Sequence, residues 1–552
     1  MLQQNFTVGD IEGNTKKIMD GYREACDRGV ELVVSSELGL FGYPPKDLLE
    51  RKEYLLKQNE VLETLLPHIG DAALILGAAD RNIFEGKPLH NSALVLRDRS
   101  IPYRRHKSLL PTYDVFDESR YFESGNPKAV TIFAHKGLNV GILICEEIWN
   151  GTENPYGEKL YSYDPVGRIK DRLRHPQILI VINASPYYWG KGNVRFSLVS
   201  GIAQELYCTV VYVNQVGGND DLIFDGRSFA VDKNGNCISA AKLFEEDIVI
   251  VDTKSKIEVS YPFDLNQTKD LYDALVLGTR DYVLKTGHDF AVVALSGGID
   301  SAVTAHIAVE ALGRENVMGV GMPSPFSSQD SIDDAWELAK ILGIVFCAIP
   351  IFNIYDACGK ALKPVIGWYE PGSVNGDVTE ENIQARIRGL QVMAITNRKG
   401  KRKPLLISTG NKSETAMGFC TLYGDTAGGF APLSDVLKTD VYNLANYICR
   451  FRNQIPKSTL TKAPTADLRP NQKDEDSLPP YRILDPILHL YIEEQKGFEE
   501  IVSSGHDEAT VRRVIDQVNK NEFKRRQMPL GLKVTSKAFG TGRRWPIAAK
   551  FL

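Results

Sequence analysis

Phe290 to Ala302, FAVVALSGGIDSA, places several anion-binding groups at the end of a strand. Apolar and β-branched residues run to Leu295, and Ser296, Gly297, Gly298, Ile299, Asp300 and Ser301 follow at once. From Ala302 the pattern is helical through His306, Val309 and Leu312. The two glycines admit positive φ and let a phosphate approach the backbone. The N–H groups of such a loop, and of the helix start behind it, favour an anion. Ser296 and Ser301 add hydroxyl donors. Asp300 suits an anion site only when a cation neutralises it, which points to Mg²⁺ between carboxylate and phosphate. No Gly-Lys-Ser/Thr closes the loop, so it is not a Walker A motif. A second set, Glu37, Lys107 and Cys145, falls where strands of the first half end. A cysteine on a turn at a strand's end can present its sulfur to a cleft.

These residues need strands to carry them. Residues 31–37, 72–80, 91–98, 138–147, 177–186, 208–215 and 246–252 read as strands. Several are apolar on consecutive residues, as strands buried on both faces are. Lys233-Asn-Gly-Asn236 lies between two short strands and signals a hairpin. Residues 15–28 read as an amphipathic helix with Ile18, Met19, Tyr22 and Cys26 on its apolar stripe. Beyond residue 270 helices alternate with the strands 290–295, 317–324 and 345–351, which implies a doubly wound parallel sheet. Its ligands belong at the carboxyl ends of the strands, where Ser296 to Ser301 lie.

With 552 residues the chain has room for more than one full core. The net charge of -5 disfavours a nucleic-acid-binding protein. The first ten residues lack the basic and apolar regions of a signal peptide, and no apolar run approaches membrane-spanning length. The eight cysteines show no CxxC pair or zinc spacing and read as reduced thiols of a cytoplasmic protein.

The loop at 296–301 resembles the PP-loop of the N-type ATP pyrophosphatases, which activate a substrate oxygen as an adenylate. SSELGLFGYPPKDLL (35–49), HKSLLPTYDVFDESRYF (106–122) and GILICEEIW (141–149) resemble the nitrilase superfamily, and within it the glutaminase domain of the glutamine-dependent NAD⁺ synthetases. TEENIQARIRGLQVMAITN (379–397) and LLISTGNKSETAMGFCTLYGD (405–425) resemble the synthetase domain of the same family. The resemblance implies an α/β chain. A nitrilase-like αββα sandwich over 1–255 and a linker over 256–269 precede a PP-loop domain with a doubly wound parallel sheet over 270–552. In that family the opening strand normally lies just before the Gln-x-Asn segment, which here is almost at residue 1, so the edge strand is expected to be missing or the start assigned late.

The resemblance also assigns roles. Cys145 is the nucleophile on the glutamine amide, Glu37 carries protons, and Lys107 lowers the thiol pKa and steadies the oxyanion, with Glu118 behind it. Tyr113, Ser185 and Lys191 hold glutamine. Ala294 to Ser301, Thr409 and Lys438 bind ATP, and Asp300 and Glu414 hold Mg²⁺. Asn382, Arg386, Glu414 and Lys524 border deamido-NAD⁺. Residues 464–481 match the family's mobile active-site segment. The implied partners are small molecules, with no nucleic acid or membrane, and the chain is expected to be a cytoplasmic homo-oligomer. GMP and asparagine synthetases share a PP-loop but pair it with other glutaminases, and a dinucleotide sensor would not need both catalytic sets.

Overall fold

A computed structural model describes the chain apart from residues 151–158, 173–174, 255–256, 258, 262, 264–265, 367–377, 399, 453, 466, 470–471 and 552. The expected linker and the segment 464–481 lie partly outside the described residues. Two compact units divide at Met1–Leu265 and Asn266–Leu552.

The first unit is built on two sheets. One orders Leu32–Val34, Ala73–Arg81, Leu89–Arg97 and Ser100–His106. The other orders Cys237–Ala240, Phe229–Val231, Thr209–Asn214, Ile178–Asn183, Leu138–Ile144 and Thr131–His135, its three central strands parallel. Period-two alternation explains the apolar runs. Ile75 and Val95 join Ile142, Ile144, Ile180, Ile182 and Val213 in a core between the sheets. Leu74, Leu76, Leu94 and Leu96 face outward onto Ile18, Met19 and Tyr22 of the helix Ile11–Asp27. Leu143, Leu179, Val181 and Val210 face the other way, onto Val199, Ile202 and Leu206 of Lys191–Leu206. Each such side chain contributes about 1.5–3 kcal/mol when fully buried, so helix, sheet, sheet and helix are held by one repeated pattern.

Three expectations change. The first helix begins at Ile11 because Asp10 caps it, its carboxylate accepting from Gly13 N–H at 3.0 Å. The edge strand is present as Leu2–Gln3, paired antiparallel with Asp247–Ile248. Ser100–His106, not among the expected strands, is a strand with Arg104 exposed and Arg105 buried.

The second unit carries four parallel strands in the order Val345–Ala348, Val317–Gly321, Phe290–Ala294, Pro404–Ile407. The order reverses between Phe290–Ala294 and Pro404–Ile407, so the loops after these two strands flank the switch point where such sheets bind ligands. Among the described residues no helix is long and apolar enough to cross a membrane.

Candidate functional sites

Glu37, Lys107, Cys145 and Ser185 all follow strands of the two sheets, and all four are buried. Lys107 Nζ donates to Glu37 Oε1 at 2.7 Å and to both Glu118 oxygens at 2.7 and 2.9 Å. Asn91 Nδ2 donates to Glu37 Oε1 at 2.7 Å and to Glu118 Oε2 at 3.3 Å. Tyr43 OH donates to Glu118 Oε1 at 2.9 Å, and Ala184 N–H to Glu37 Oε2 at 2.9 Å. The backbone of Glu37 runs so close to Gly77 that an added Cβ there would stand 2.3 Å from Leu38 N. Asn91 and Tyr43 escape sequence reasoning, since an asparagine at a strand's start and a tyrosine before proline carry no chemical signature.

Burial alone would lower the Lys107 pKa, but Glu118 and Glu37 raise it well above its ordinary value. Burial, with Glu37 adding to it and Lys107 opposing, pushes Glu118 up to about 7. Lys107 does act to lower the Cys145 thiol pKa, as expected, but it is not the dominant influence. Burial and then the Glu37 charge push Cys145 well above the usual thiol range, and Lys107 opposes them without prevailing. Burial and the Glu37 charge therefore favour the thiol form of Cys145 over the thiolate. Thiolate absorbance, read as the difference against Cys145→Ala, is expected to stay absent through the ordinary cysteine range near about 8.5. Glu37→Gln should bring that titration down, because it removes a like charge. A wild-type thiolate at neutral pH would contradict this.

Glu146, next to the nucleophile, accepts from Tyr113 OH at 3.0 and 3.1 Å and from Tyr161 OH at 2.8 Å. Burial raises its carboxyl above the usual range, against the opposing charges of Lys107 and Lys191. Lys191 starts its helix with Nζ 5.2 Å from the Tyr188 ring centre. Ser185 is tied to Arg195, whose Nε donates to its Oγ at 3.2 Å.

In the second unit a cavity of about 440 Å³ opens at the switch point. Ala294 to Ser301, Thr409, Glu414, Lys438, Asn382 and Lys524 all line it. Gly297 has φ +80° and packs so tightly that a Cβ would stand 2.3 Å from the Ser331 carbonyl oxygen. Ser301 Oγ donates to Gly298 O at 2.9 Å, and Gly298 N–H donates to Ser296 Oγ at 3.2 Å, so both hydroxyls also shape the loop. Lys438 Nζ donates to Asp300 Oδ2 at 2.6 Å and to Glu414 Oε1 at 3.2 Å. Asn411 Nδ2 donates to Asp300 Oδ1 at 2.9 Å, and its Oδ1 caps the helix Lys412–Met417 by accepting from Glu414 N–H at 3.0 Å. Burial, with Lys438 opposing and Asp300 reinforcing, pushes Glu414 up to about 8. Lys524 Nζ donates to the carbonyls of Gly418 and Cys420 at 2.7 and 3.0 Å.

Arg386 departs from expectation. It is exposed, donates to Leu422 O at 3.2 Å, and does not line the cavity. Arg388 does, together with Asn382, Ala385, Gly389 and Val392, which recur at helical spacing on one face of Thr379–Thr396.

Family models describe the same two parts: carbon-nitrogen hydrolase matches residues 1–156, and NAD synthase matches residues 271–528. The fold and sites thus define a carbon-nitrogen hydrolase of nitrilase type joined in one chain to an NAD synthase. A glutamine-dependent NAD(+) synthetase of Synechocystis sp. is 44% identical over 100% of this chain and 98% of its own. One from Thermotoga maritima is 40% identical over 100% and 98%. A solved structure of the Acinetobacter baumannii glutamine-dependent NAD+ synthetase in complex with ADP superposes with a TM-score of 0.73 at 36% identity, covering 99% of this chain and 97% of that one. The chain belongs to the glutamine-dependent NAD(+) synthetase family.

Proposed function

We propose that the chain hydrolyses glutamine in its first unit and, with ATP, uses the released ammonia to convert deamido-NAD⁺ to NAD⁺ in its second. What carries this reading is the presence in one chain of the buried Glu37–Lys107–Cys145 set and the cavity walled by Ser296 to Ser301. Cys145 attacks the side-chain amide carbon as Glu37 takes the thiol proton, and Lys107 steadies the oxyanion. The C–N bond breaks, Glu37 returns the proton to the departing ammonia, and water activated by Glu37 then cleaves the thioester. Glu118, Asn91 and Tyr43 hold Glu37 and Lys107 in place. Glutamine lies between Tyr113, Ser185 and Lys191, with its ammonium toward Glu146.

A carboxylate is a poor acyl donor, so the nicotinate carboxylate is activated first as an adenylate, with release of pyrophosphate, and ammonia then displaces AMP. Ala294 to Ser301 and Thr409 receive the ATP, and Lys438 faces its phosphates. Asp300 and Glu414 converge on one ammonium and offer an all-oxygen pair. Among the described residues no group of three or more possible ligands is assembled, which suits Mg²⁺, a cation that commonly takes one or two carboxylates and completes its shell with phosphate and water. Bound there, Mg²⁺ would supply neutralising charge to the phosphates. Asn382, Glu414 and Lys524 border the dinucleotide. The expected setting, a cytoplasmic homo-oligomer acting on small molecules without nucleic acid or membrane, belongs to this proposal.

The test is turnover of glutamine, ATP and deamido-NAD⁺ with products identified by mass. Tight dinucleotide binding without NAD⁺ formation would make the chain a sensor instead. Within the cavity, Lys524→Ala should raise KM for deamido-NAD⁺ about tenfold, the scale of one charged hydrogen bond, and leave KM for glutamine alone. Arg386→Ala, outside the wall, should change it by less than about threefold on the same scale. Steady-state kinetics that reverse this ranking would exchange the two assignments.

A further inference from the structure

We propose that Glu147 is a positioning residue that holds Cys145 in register with Lys107. The proposal rests on the amide-hydrolysis reading above. Glu147 is fully buried two residues after the nucleophile and is not needed for any proton transfer. Its Oε2 accepts from Ile144 N–H at 2.9 Å and from Arg105 Nε at 3.3 Å. Its Oε1 accepts from Ser108 N–H at 2.9 Å, and also from the Ser108 hydroxyl and Arg105 Nη2. Ile144 immediately precedes Cys145. Arg105 and Ser108 stand on either side of Lys107. One carboxylate therefore bridges the two strand ends, one from each sheet, that carry the nucleophile and the cation.

Cys145 needs such a bridge. Its φ is +42°, a left-handed conformation that strains a non-glycine residue and persists only where the surroundings over-determine it. A buried Arg–Glu pair on its own is weak evidence of stability, so stabilising the sandwich is a poor account of this one. Each of its hydrogen bonds ends on a residue within two positions of Cys145 or Lys107. The bridge acts on geometry, and the reaction is sensitive to geometry: a displacement of about 1 Å can cost about a hundredfold in rate.

Glu147→Gln in the full-length chain keeps the side chain's size but loses the charge and one acceptor oxygen. We expect kcat for glutamine hydrolysis to fall about a hundredfold, with KM for glutamine within about threefold, because the groups that hold glutamine are untouched. Ammonium-supported NAD⁺ synthesis should persist and report that the chain is folded. Ser108→Ala removes one donor without unpairing a charge and should lower kcat about fivefold, again at constant KM. An unchanged kcat in Glu147→Gln overturns the proposal, and so does a rise in KM that accounts for the whole loss. If Glu147→Gln does not fold, Ser108→Ala decides alone, and an unchanged kcat there overturns it. A wild-type chain without Cys145-dependent glutamine hydrolysis removes the underlying reading and the bridge with it. Wild-type hydrolysis that both variants retain removes the bridge only.

Discussion

Cys145→Ala is expected to lower glutamine-supported NAD⁺ synthesis by more than about ten-thousandfold, as removal of a sole nucleophile does. Synthesis supported by high ammonium at mildly alkaline pH should survive, because Asp300, Thr409, Glu414 and Lys438 belong to the other unit. The quantity to measure is the ratio of the two activities in one preparation. Efficient use of glutamine by this variant would defeat the nucleophile assignment. Loss of both activities in a folded chain would defeat the separation of the sites. Glu37→Gln should behave similarly. Lys107→Ala is the poorer probe. It leaves the buried Glu37 and Glu118 carboxylates without their ammonium, and breaking a buried ion pair costs about 3–5 kcal/mol. Loss of fold would then be confused with loss of chemistry.

Asp300→Asn should silence the other reaction. The substitution keeps the size of the side chain and an oxygen that can still accept from Asn411. It removes the negative charge that pairs with Lys438 at 2.6 Å and that would face a divalent cation. Pyrophosphate release from ATP and deamido-NAD⁺ should fall about 100- to 1,000-fold, the scale of a lost electrostatic contact at a reacting centre. Glutamine hydrolysis in the first unit should remain measurable, apart from any signal passed between units. Pyrophosphate release at close to the wild-type rate would rule out the carboxylate's part in activation.

Much of both sites was legible in the chain because chemistry and local structure coincide there. Two glycines before a helical pattern mark Ser296 to Ser301, and Gly297 does adopt positive φ. Glu37, Lys107 and Cys145 stand out because polar residues at the ends of apolar strands need a reason. What stayed hidden depends on register across the sheets. Asn91 reaches Glu37 and Glu118 only because Leu89–Arg97 lies between Ala73–Arg81 and Ser100–His106. The strand Ser100–His106 was hidden by its charges, and the buried Arg105 looked like its exposed neighbours until Glu147 was seen beside it. The direction of the Lys107 effect on the Cys145 thiol was legible, whereas the burial that outweighs it depends on how the two sheets pack. Arg386 and Arg388 were harder to tell apart, since helical spacing sets Arg386 near Asn382 and Gly389, yet it is Arg388 that lines the cavity while Arg386 is exposed.

The strand order of the second unit also bears on how the nucleotide site comes into being. Phe290–Ala294, Val317–Gly321 and Val345–Ala348 are neighbours both in sequence and in the sheet, so this part can assemble from short loop closures. Pro404–Ile407 must return across a long stretch of chain to pair on the far side of Phe290–Ala294. Such distant pairing is slow, because the entropy of closing the loop is lost before the contacts repay it. On this ground the loop 295–298 is expected to form ahead of the Asn411 hydrogen bond to Asp300. ATP meets its full set of contacts only on the finished sheet and stabilises that state by mass action. A nascent chain that has not yet reached Ile407 carries the glycine loop, Asp300 and wall residues such as Ser331, Trp336 and Arg388, but lacks Thr409, Asn411, Glu414 and Lys438.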